Sequence, residues 1–334
     1  MQRAIQIASL GIGSAAPNPM VGALIVKNGE IIGEGFHRRY KTEHAEVRAI
    51  ESVPADKRHL IEGSTVYVTL EPCAHQGHTP PCADLLVREK IARCVIAVGD
   101  PNPQVGGKGI SRLRNAGIEV EVGVLEAEAI FLARRFLKRT QVGKPYIILK
   151  WAESADRFIG RKKKAVWLTC HQSRKLVHKW RSEEAAILIG TNTAIVDDPQ
   201  LNVRMWSGND PKRFVLDARS KLDPNSKLFK GNDPAYAIVS KDVHSIHENT
   251  MSINFYQVWE QLLQGVSNLN CSSLIVEGGA NIIRQFIQKD LWDEARVFKT
   301  QKHLRKGVKA PRMGVDFDSV QTVGIDQLYH YYRK

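Results

Sequence analysis

The segment Glu71–Cys82, which reads EPCAHQGHTPPC, places two cysteines and two histidines within twelve residues. Thiolates and imidazoles are the ligands that Zn²⁺ prefers in proteins. The segment follows the apolar run STVYVTL at residues 64–70, which predicts a buried strand, and leads into CADLLVREK at residues 82–90, which predicts a helix. The sequence therefore predicts a candidate metal site between a strand and the helix that follows it.

The upstream tripeptide His44-Ala45-Glu46 adds what a catalytic zinc site needs. Such a site has three protein ligands and an open position for water, and zinc deaminases also use a carboxylate that moves protons. His44, Cys73 and Cys82 would supply one nitrogen and two sulfur ligands. Glu46 would supply the carboxylate. Residues i and i+2 of a helix point in nearly opposite directions, so His44 and Glu46 can share a site only at the N-terminal end of their helix.

Two other interpretations of the cysteine pair are open. In a closed structural zinc site, His75 or His78 would act as the fourth ligand, although such a site has no need for Glu46. In a redox pair, the cysteines would normally be separated by two residues, whereas eight separate them here. We favour the catalytic site and interpret His75 and His78 as residues of a substrate-binding loop.

The cysteine count and the charge restrict the class of protein. The five cysteines form an odd and scattered set, which is typical of a reducing compartment, so we expect a cytoplasmic protein. The longest apolar runs are far too short to cross a bilayer, so we expect no membrane partner. The net charge of +13 is diffuse apart from Arg161–Lys164, which we interpret as a solvated loop. A basic surface suits phosphorylated small molecules, and no recognised nucleic-acid-binding motif accompanies it, so we expect no nucleic acid partner.

Alternating strands and helices predict two α/β domains, residues 1–144 and 145–334. In the first, the dipeptide Asn28-Gly29 between two apolar runs is the signal of a β-hairpin. The alternation that follows predicts a three-layer domain. Repeated strand–helix units in the second half predict a mostly parallel sheet.

Two segments of the second half indicate a candidate nucleotide site. In LIVEGGANII, residues 274–283, two glycines join an apolar strand to a helix, and such glycines let backbone amides approach phosphate. In GTNTAIVDDPQLNVR, residues 190–204, a polar loop follows a buried strand, and ligands bind at the carboxyl ends of parallel strands. A plain tight turn explains the two glycines at least as well. Residues 241–255 and 301–315 give no clear pattern.

Four segments of the first half resemble the deaminase domain of the bifunctional riboflavin biosynthesis enzymes. They read PNPMVGALIV, EHAEVRAI, VTLEPCAHQGHTPPC and DPNPQVGGKG, and the long loop between the cysteines separates this family from cytidine and tRNA adenosine deaminases. The resemblance implies zinc on the three ligands named above, Glu46 as the proton shuttle and Asn18 as a pyrimidine-binding residue. Family members often have Cys in place of Ala23, which we interpret as a packing change. They often have Arg in place of His78, a difference that would weaken or re-route a phosphate contact.

The resemblance continues in the second half, where HKWRSEEAAILIGTNTAIVDDPQLNVR and IVEGG are similar to the reductase domain of the same enzymes. It implies a dihydrofolate-reductase-like fold, NADPH as the cofactor and Lys150 near the ribose that is reduced. The family usually has Gly in place of Arg157, where a side chain would change the turn or point outward, and Ser in place of Ala165. The implied cofactor positions are Ala152, Trp167, Thr193, Asp197, Gly279, Ala280, Asn281, Ile282, Ile283, Arg284 and Gln285, and the implied substrate positions are Arg181, Leu201, Arg204 and Glu277.

The residues and the resemblance together predict a two-step enzyme. The first site would hydrolyse an amine of the phosphoribosylated pyrimidine 2,5-diamino-6-(5-phosphoribosylamino)pyrimidin-4-one, and the second would reduce the ribosyl chain to ribityl with NADPH. The alternatives are an enzyme with a degenerate reductase domain, a nucleic acid base deaminase on the same zinc fold, and a zinc-stabilised nucleic-acid-binding module without catalysis. We also expect a homo-oligomer.

Overall fold

The computed structural model describes residues 1–76, 80–102, 106–231 and 233–333. The chain divides into two compact units, Met1–Gly143 (unit 1) and Lys144–Lys334 (unit 2). This division lies one residue from the boundary that the sequence predicts between 144 and 145. No helix in the described residues is long and apolar enough to span a membrane.

Unit 1 is built on one mixed sheet. Its described residues form the strands β1 (Gly22–Lys27), β2 (Glu30–Phe36), β3 (Thr65–Leu70), β4 (Arg93–Val98) and β5 (Glu119–Val122), and the helices α1 (Gln2–Ala8), α2 (Ala45–Glu51), α3 (Cys82–Arg88), α4 (Lys108–Asn115) and α5 (Glu126–Val142). The strand order is β2-β1-β3-β4-β5, with β1 antiparallel to its neighbours and the last three strands parallel. The β1–β2 hairpin turns at Asn28 and Gly29, which both have positive φ, so this prediction is confirmed.

Apolar helix faces cover both sides of this sheet, which gives the three layers that the sequence predicts. Helices α2, α3 and α4 pack on one face, where Ala23 of β1 and its cross-strand partner Val68 are fully buried. Helices α1 and α5 pack on the other, around Leu24 and Ala97. Ala23 therefore occupies a core position, which supports its interpretation as a packing change.

Unit 2 contains a larger sheet. Its described strands are β6 (Tyr146–Glu153), β7 (Phe158–Gly160), β8 (Ala186–Gly190), β9 (Lys212–Leu216), β10 (Tyr236–Ser240), β11 (Thr250–Ile253), β12 (Ser273–Val276), β13 (Glu294–Lys299), β14 (Val308–Lys309), β15 (Ser319–Val323) and β16 (Asp326–Tyr332), and its helices are α6 (His171–Glu183), α7 (Thr191–Asp197), α8 (Val258–Asn268) and α9 (Ala280–Gln288). The sheet has the order β11-β10-β9-β8-β12-β6-β13-β16-β15. Strands β11 to β13 in this order are parallel, as the sequence predicts, and the hairpin β15–β16 adds two antiparallel strands that it did not predict.

Helices also cover both faces of this second sheet. Alternate residues of β6 point to opposite sides, so Ile148 is buried with Trp180 of α6, whereas Leu149 is buried with Leu262 of α8. Because β8, β12 and β6 are adjacent and parallel, their carboxyl ends meet at one edge of the sheet. Helices α7 and α9 begin at this edge, which is where ligands bind in such sheets.

The turn between β6 and β7 carries Arg157, where the resembling family usually has glycine. Its φ of +64° lies in the left-handed region that favours glycine. The side chain folds back, because Arg157 Nη2 donates to the Pro311 carbonyl at 3.1 Å and lies 3.7 Å from the buried carboxylate of Glu153. The main chain binds the same segment, since Ala310 N donates to the Arg157 carbonyl at 3.0 Å. The turn is therefore retained and gains a side-chain tether.

We expect Arg157→Ala to lower the free energy of unfolding of unit 2 more than Arg157→Gly does. Both variants lose the tether, but alanine keeps the left-handed strain that glycine relieves, a difference of about 1 kcal/mol. Urea unfolding followed by tryptophan fluorescence measures this in unit 2 alone, because all six tryptophans lie between residues 151 and 292. Equal or reversed stabilities would contradict a left-handed backbone at residue 157.

Candidate active sites

The side chains of His44, Cys73 and Cys82 converge in unit 1, with their donor atoms within 4.8 Å of one another. His44 Nδ1 lies 3.6 Å from Cys73 Sγ and 3.3 Å from Cys82 Sγ. With Zn–N and Zn–S bonds of about 2.1 and 2.3 Å, tetrahedral geometry separates such atoms by about 3.6 Å. The donor set and its spacing therefore fit zinc. His75 is not part of this group, and His78 lies outside the described residues.

Each of the three candidate ligands lies near the beginning or the end of a helix or strand. His44 immediately precedes α2 with extended backbone angles, φ −72° and ψ 166°. Cys73 follows the end of β3, and Cys82 is the first residue of α3. Cys82 N donates to Cys73 Sγ at 3.3 Å, and Ala83 N donates to the Cys73 carbonyl at 3.1 Å. The first turn of α3 thus holds Cys73 as well as Cys82.

Glu46 lies in the first turn of α2, so it shares the N-terminal end of the helix with His44, as the spacing requires. The Glu46 side chain is buried, and the residue is only 4% exposed. Burial, together with the negative charge of Cys73, raises the pKa of Glu46 to about 7. A carboxyl group with such a pKa can both accept and donate a proton at neutral pH.

The two thiols are electrostatically unequal. A hydrogen bond with Cys82 and a further one with His44 lower the pKa of Cys73 to about 4. The hydrogen bond with Cys73, together with burial, raises the pKa of Cys82. Hydrogen bonding to Cys73 is also the main reason that the pKa of His44 is raised. The lowered pKa favours the thiolate form of Cys73, whose charge a bound cation would stabilise.

A cavity of about 360 Å³ opens beside this ligand group. Glu46 and Asn18 line it, as does His75 from the loop between the two cysteines. Asp100 and Asn102, which follow β4, also line it. Sequence reasoning gave these last two residues no role. Their position directly after the carboxyl end of a parallel strand was the signal that could have found them.

His37 is a second residue that sequence reasoning missed. It is buried, and its Nδ1 lies 3.1 Å from the Glu43 carbonyl, which can only accept a hydrogen bond. Nδ1 therefore carries the proton, and Nε2 accepts from Asn18 Nδ2 at 3.2 Å. Burial lowers the pKa of His37, which favours this neutral form. His37 thus fixes the orientation of the Asn18 amide at the wall of the cavity.

In unit 2, Glu277 follows β12 and lies between two cations. Arg181 donates to its carboxylate through Nη2 at 2.9 Å and Nε at 3.3 Å, and Lys150 Nζ lies 3.7 Å from it. Burial by itself would raise the pKa of Glu277, but the charges of Arg181 and Lys150 outweigh it and lower the pKa to about 2. Burial lowers the pKa of Lys150, which Glu277 opposes. The structure thus unites three predicted site residues in one cluster.

Arg204 lies next to this cluster through shared neighbours. Arg204 N donates to His178 Nδ1 at 3.2 Å, and both Arg181 and Arg204 donate to Asn202. Burial and the charges of the two arginines lower the pKa of His178 to about 4, so its ring is neutral and can accept this bond. Burial and Arg181 also lower the pKa of Arg204, which indicates an excess of positive charge suited to an anion. Sequence reasoning missed His178, although it lies one turn before Arg181 on α6.

The predicted cofactor positions Thr193 and Gly279 meet at the carboxyl edge of the sheet. Gly278 and Gly279 have positive φ, and a Cβ on Gly278 would lie 3.1 Å from Thr193 Cγ2. The N-terminus of α9 follows this turn directly, which suits a phosphate. Among the remaining positions 280–285, Ala280, Ile282 and Ile283 are buried. Arg284 Nη2 donates to the Lys309 carbonyl at 2.5 Å, Asn281 is exposed and Gln285 is half-buried.

The four remaining predicted residues of unit 2 belong neither to the Glu277 cluster nor to the turn at Gly279. Trp167 is 63% exposed, and its carbonyl accepts from Lys302 Nζ at 2.6 Å. Ala152 packs half-buried against a small apolar cluster, and Asp197 ends α7, where burial raises its pKa. Leu201 is buried in the core with a φ of +56°, so only its main chain could meet a ligand.

Two family models match the chain. The cytidine and deoxycytidylate deaminase zinc-binding region matches residues 1–98, and the RibD C-terminal domain matches residues 145–309. Unit 1 thus contains a zinc-binding deaminase domain, and unit 2 contains the C-terminal reductase domain.

Relatives and solved structures match nearly the whole chain. The riboflavin biosynthesis protein RibD of Aquifex aeolicus is 36% identical over 94% of this chain and 90% of its own length, and that of Escherichia coli K12 is 36% identical over 91% and 87%. The structure of a Thermotoga maritima diaminohydroxyphosphoribosylaminopyrimidine deaminase/5-amino-6-(5-phosphoribosylamino)uracil reductase has a TM-score of 0.88 at 34% identity, with 99% and 96% covered. Acinetobacter baumannii RibD has a TM-score of 0.86 at 35% identity, with 99% and 97% covered. The predicted fold, a deaminase-like domain followed by a reductase domain, is confirmed, and the chain belongs to the RibD family of bifunctional deaminase and reductase enzymes in riboflavin biosynthesis.

Proposed function

We propose that unit 1 hydrolyses an amine of 2,5-diamino-6-(5-phosphoribosylamino)pyrimidin-4-one and that unit 2 reduces the ribosyl chain to ribityl with NADPH. The observation that carries this proposal is one chain that holds Glu46 beside a zinc-type ligand group and also a partly buried Lys150–Glu277–Arg181 cluster. The Thermotoga maritima protein is described by the same two activities, and its similarity over 99% of this chain supports the transfer.

For the deaminase step, zinc held by the three ligands would lower the pKa of a water molecule at the open position. Glu46 would accept the proton that the attacking water gives up and donate it to the departing ammonia, which its pKa of about 7 permits. Asn18 donates its amide hydrogen to His37, so it has its oxygen left to accept from an N–H group of the pyrimidine. The cavity of about 360 Å³ suits a single base better than a nucleic acid strand.

For the reductase step, NADPH would supply the hydride. The Lys150 ammonium would stabilise the oxygen of the sugar carbon that is reduced, and Glu277 would hold that ammonium in place. Arg181 already uses Nε and Nη2 on Glu277, so Arg204 has more donors left for the ribose phosphate. The turn at Gly279 and the start of α9 would receive the cofactor pyrophosphate.

The retained cluster favours an active reductase over a degenerate one. Withdrawing the Glu277 carboxylate and its two cationic partners from water costs free energy, which an active site would use. The absence of nucleic acid and membrane partners, the cytoplasmic location and a homo-oligomeric state stay predictions.

We expect Cys73→Ser to lose zinc and deaminase activity together, because a serine oxygen replaces the thiolate ligand. Metal analysis of the purified protein should give about one zinc per chain for the parent and clearly less for the variant. Cys170→Ser is the matched control, since Cys170 belongs to unit 2 and is not a member of the ligand group, and it should retain both. A parent that takes up no zinc under any reconstitution would refute the metal assignment.

Glu46→Gln should keep zinc and fold but lose deamination by about 10²- to 10⁴-fold, because the near-isosteric amide cannot carry a proton. Ammonia release measures the activity, and reduction of the separately supplied deaminated intermediate should be unchanged. Ammonia release near the parental rate would remove Glu46 from the mechanism and revive the structural zinc interpretation.

Lys150→Ala should slow NADPH oxidation by about 10²- to 10³-fold and spare ammonia release, because a positioned cation near the reacting oxygen is lost. Lys289→Ala removes an exposed lysine of the same unit and serves as the control. Tryptophan fluorescence reports whether unit 2 remains folded. If Lys150→Ala abolished deamination in a folded and zinc-loaded protein, the two sites would be coupled rather than independent.

A further inference from the structure

A buried carboxylate at the end of β3 has no part in the mechanism above. Glu71 is 6% exposed, and its two oxygens accept hydrogen bonds from four backbone amides. Oε2 accepts from Asp100 N at 3.0 Å and Gly107 N at 2.9 Å. Oε1 accepts from Gly109 N at 2.9 Å and Ile110 N at 3.2 Å. All of these amides belong to a segment about thirty to forty residues further along the chain.

Three of the four amides belong to the start of α4. The first amides of a helix have no partner within the helix and carry its positive dipole end. Gly107, the N-cap of α4, has no side chain to satisfy them. The Glu71 carboxylate occupies the place that a capping side chain or a bound anion would take.

The fourth amide makes Glu71 a bridge across the loop that leads into α4. Asp100 lies at the start of this loop and Gly107 at its end, so one carboxylate holds both ends together. Within the loop, Asn102 N donates to Asp100 Oδ1 at 2.9 Å, and Gly106 N donates to the Asn102 carbonyl at 2.7 Å. Among the described residues of this loop, Asp100 and Asn102 line the deaminase cavity. Glu71 therefore sets where these two polar side chains stand.

The same residue is tied to the strand end that carries Cys73. Glu71 N donates to the Val98 carbonyl at 2.9 Å, which continues the pairing of β3 with β4. Helix α4 packs so closely here that a Cβ on Gly109 would lie 2.0 Å from the Pro72 carbonyl. Glu71 thus connects the loop that carries Asp100 and Asn102 to the end of β3, close to Cys73.

We propose that Glu71 is a positioning residue of the deaminase, which orients Asp100 and Asn102 toward the pyrimidine substrate through the four amides it binds. This inference rests on the deaminase activity proposed above. It assigns no proton transfer and no metal contact to Glu71.

The test is Glu71→Gln, which replaces one carboxylate oxygen by an NH₂ group. This NH₂ group cannot accept hydrogen bonds, so two of the four backbone N–H groups lose their acceptor. We expect a 10- to 100-fold lower kcat/KM for deamination, mainly through a higher KM, because displaced binding groups cost about this much. Zinc content, the pH profile and the reductase rate should be unchanged. Glu71→Asp, which can reach one amide pair but not both, should lie in between. Asp84→Asn is the matched control, since Asp84 pairs with Arg112 of α4 and Glu71 does not, and it should behave as the parent.

Amide hydrogen exchange tests the proposal without any substrate. In the parent, the amides of Asp100, Gly107, Gly109 and Ile110 should exchange slowly, and Glu71→Gln should speed their exchange while peptides of β3 stay protected. Fast exchange of these amides in the parent would overturn the proposal even if neither variant folds. An unchanged KM in a folded variant, or loss of zinc in step with activity, would also overturn it. A parent that is zinc-loaded but releases no ammonia would instead refute the proposed deaminase function.

Discussion

The main constraint on the candidate deaminase site of unit 1 is that three donor atoms must lie close together, here within 4.8 Å of one another. Side chains alone do not fix such a group, so its members stand where the main chain is already fixed: before α2, after β3 and at the start of α3. Helix N-termini also favour the negative charge that thiolate ligands would carry once a metal is bound. An i, i+2 spacing does not place His44 and Glu46 on one face of a helix. It does allow both side chains to lie at the N-terminal end of α2.

The constraint in unit 2 is charge compensation. The register of the parallel strands β12 and β6 pairs Val276 with Leu149, so Glu277, the residue after β12, lies beside Lys150 of β6. The partly buried carboxylate of Glu277 pairs with Lys150, and Arg181 from α6 supplies a second cation. Removing one member would leave a charge without full compensation. The pairing of two strands thus explains why these three residue types occur together at this edge.

Features with local signals could be predicted from the sequence, and features with distant partners could not. Residues close in sequence are enough to recognise the Asn28-Gly29 hairpin, the candidate ligand cysteines and the glycines after β12. His37 and His178 do not, because their partners Asn18 and Arg204 are 19 and 26 residues away. Glu71 was visible only as a neighbour of a ligand cysteine, since all four of its amide partners lie far downstream. The hairpin β15–β16 was missed because β15 is exposed and lacks the apolar alternation of a buried strand.

At Arg157, where the resemblance implies a glycine, the main chain explains how the turn is retained. Arg157 keeps the left-handed turn that glycine usually makes, and it binds the neighbouring segment through its carbonyl as well as its guanidinium. Leu201, Ile282 and Ile283 stand at predicted ligand positions, yet their side chains are buried in the core. Similarity to the family at these three positions therefore reflects core packing and main-chain conformation, and not side-chain contacts with a ligand. The side-chain chemistry rests on the few charged groups whose partners are fixed in the folded chain, which is why substitutions at those groups separate the two reactions most cleanly.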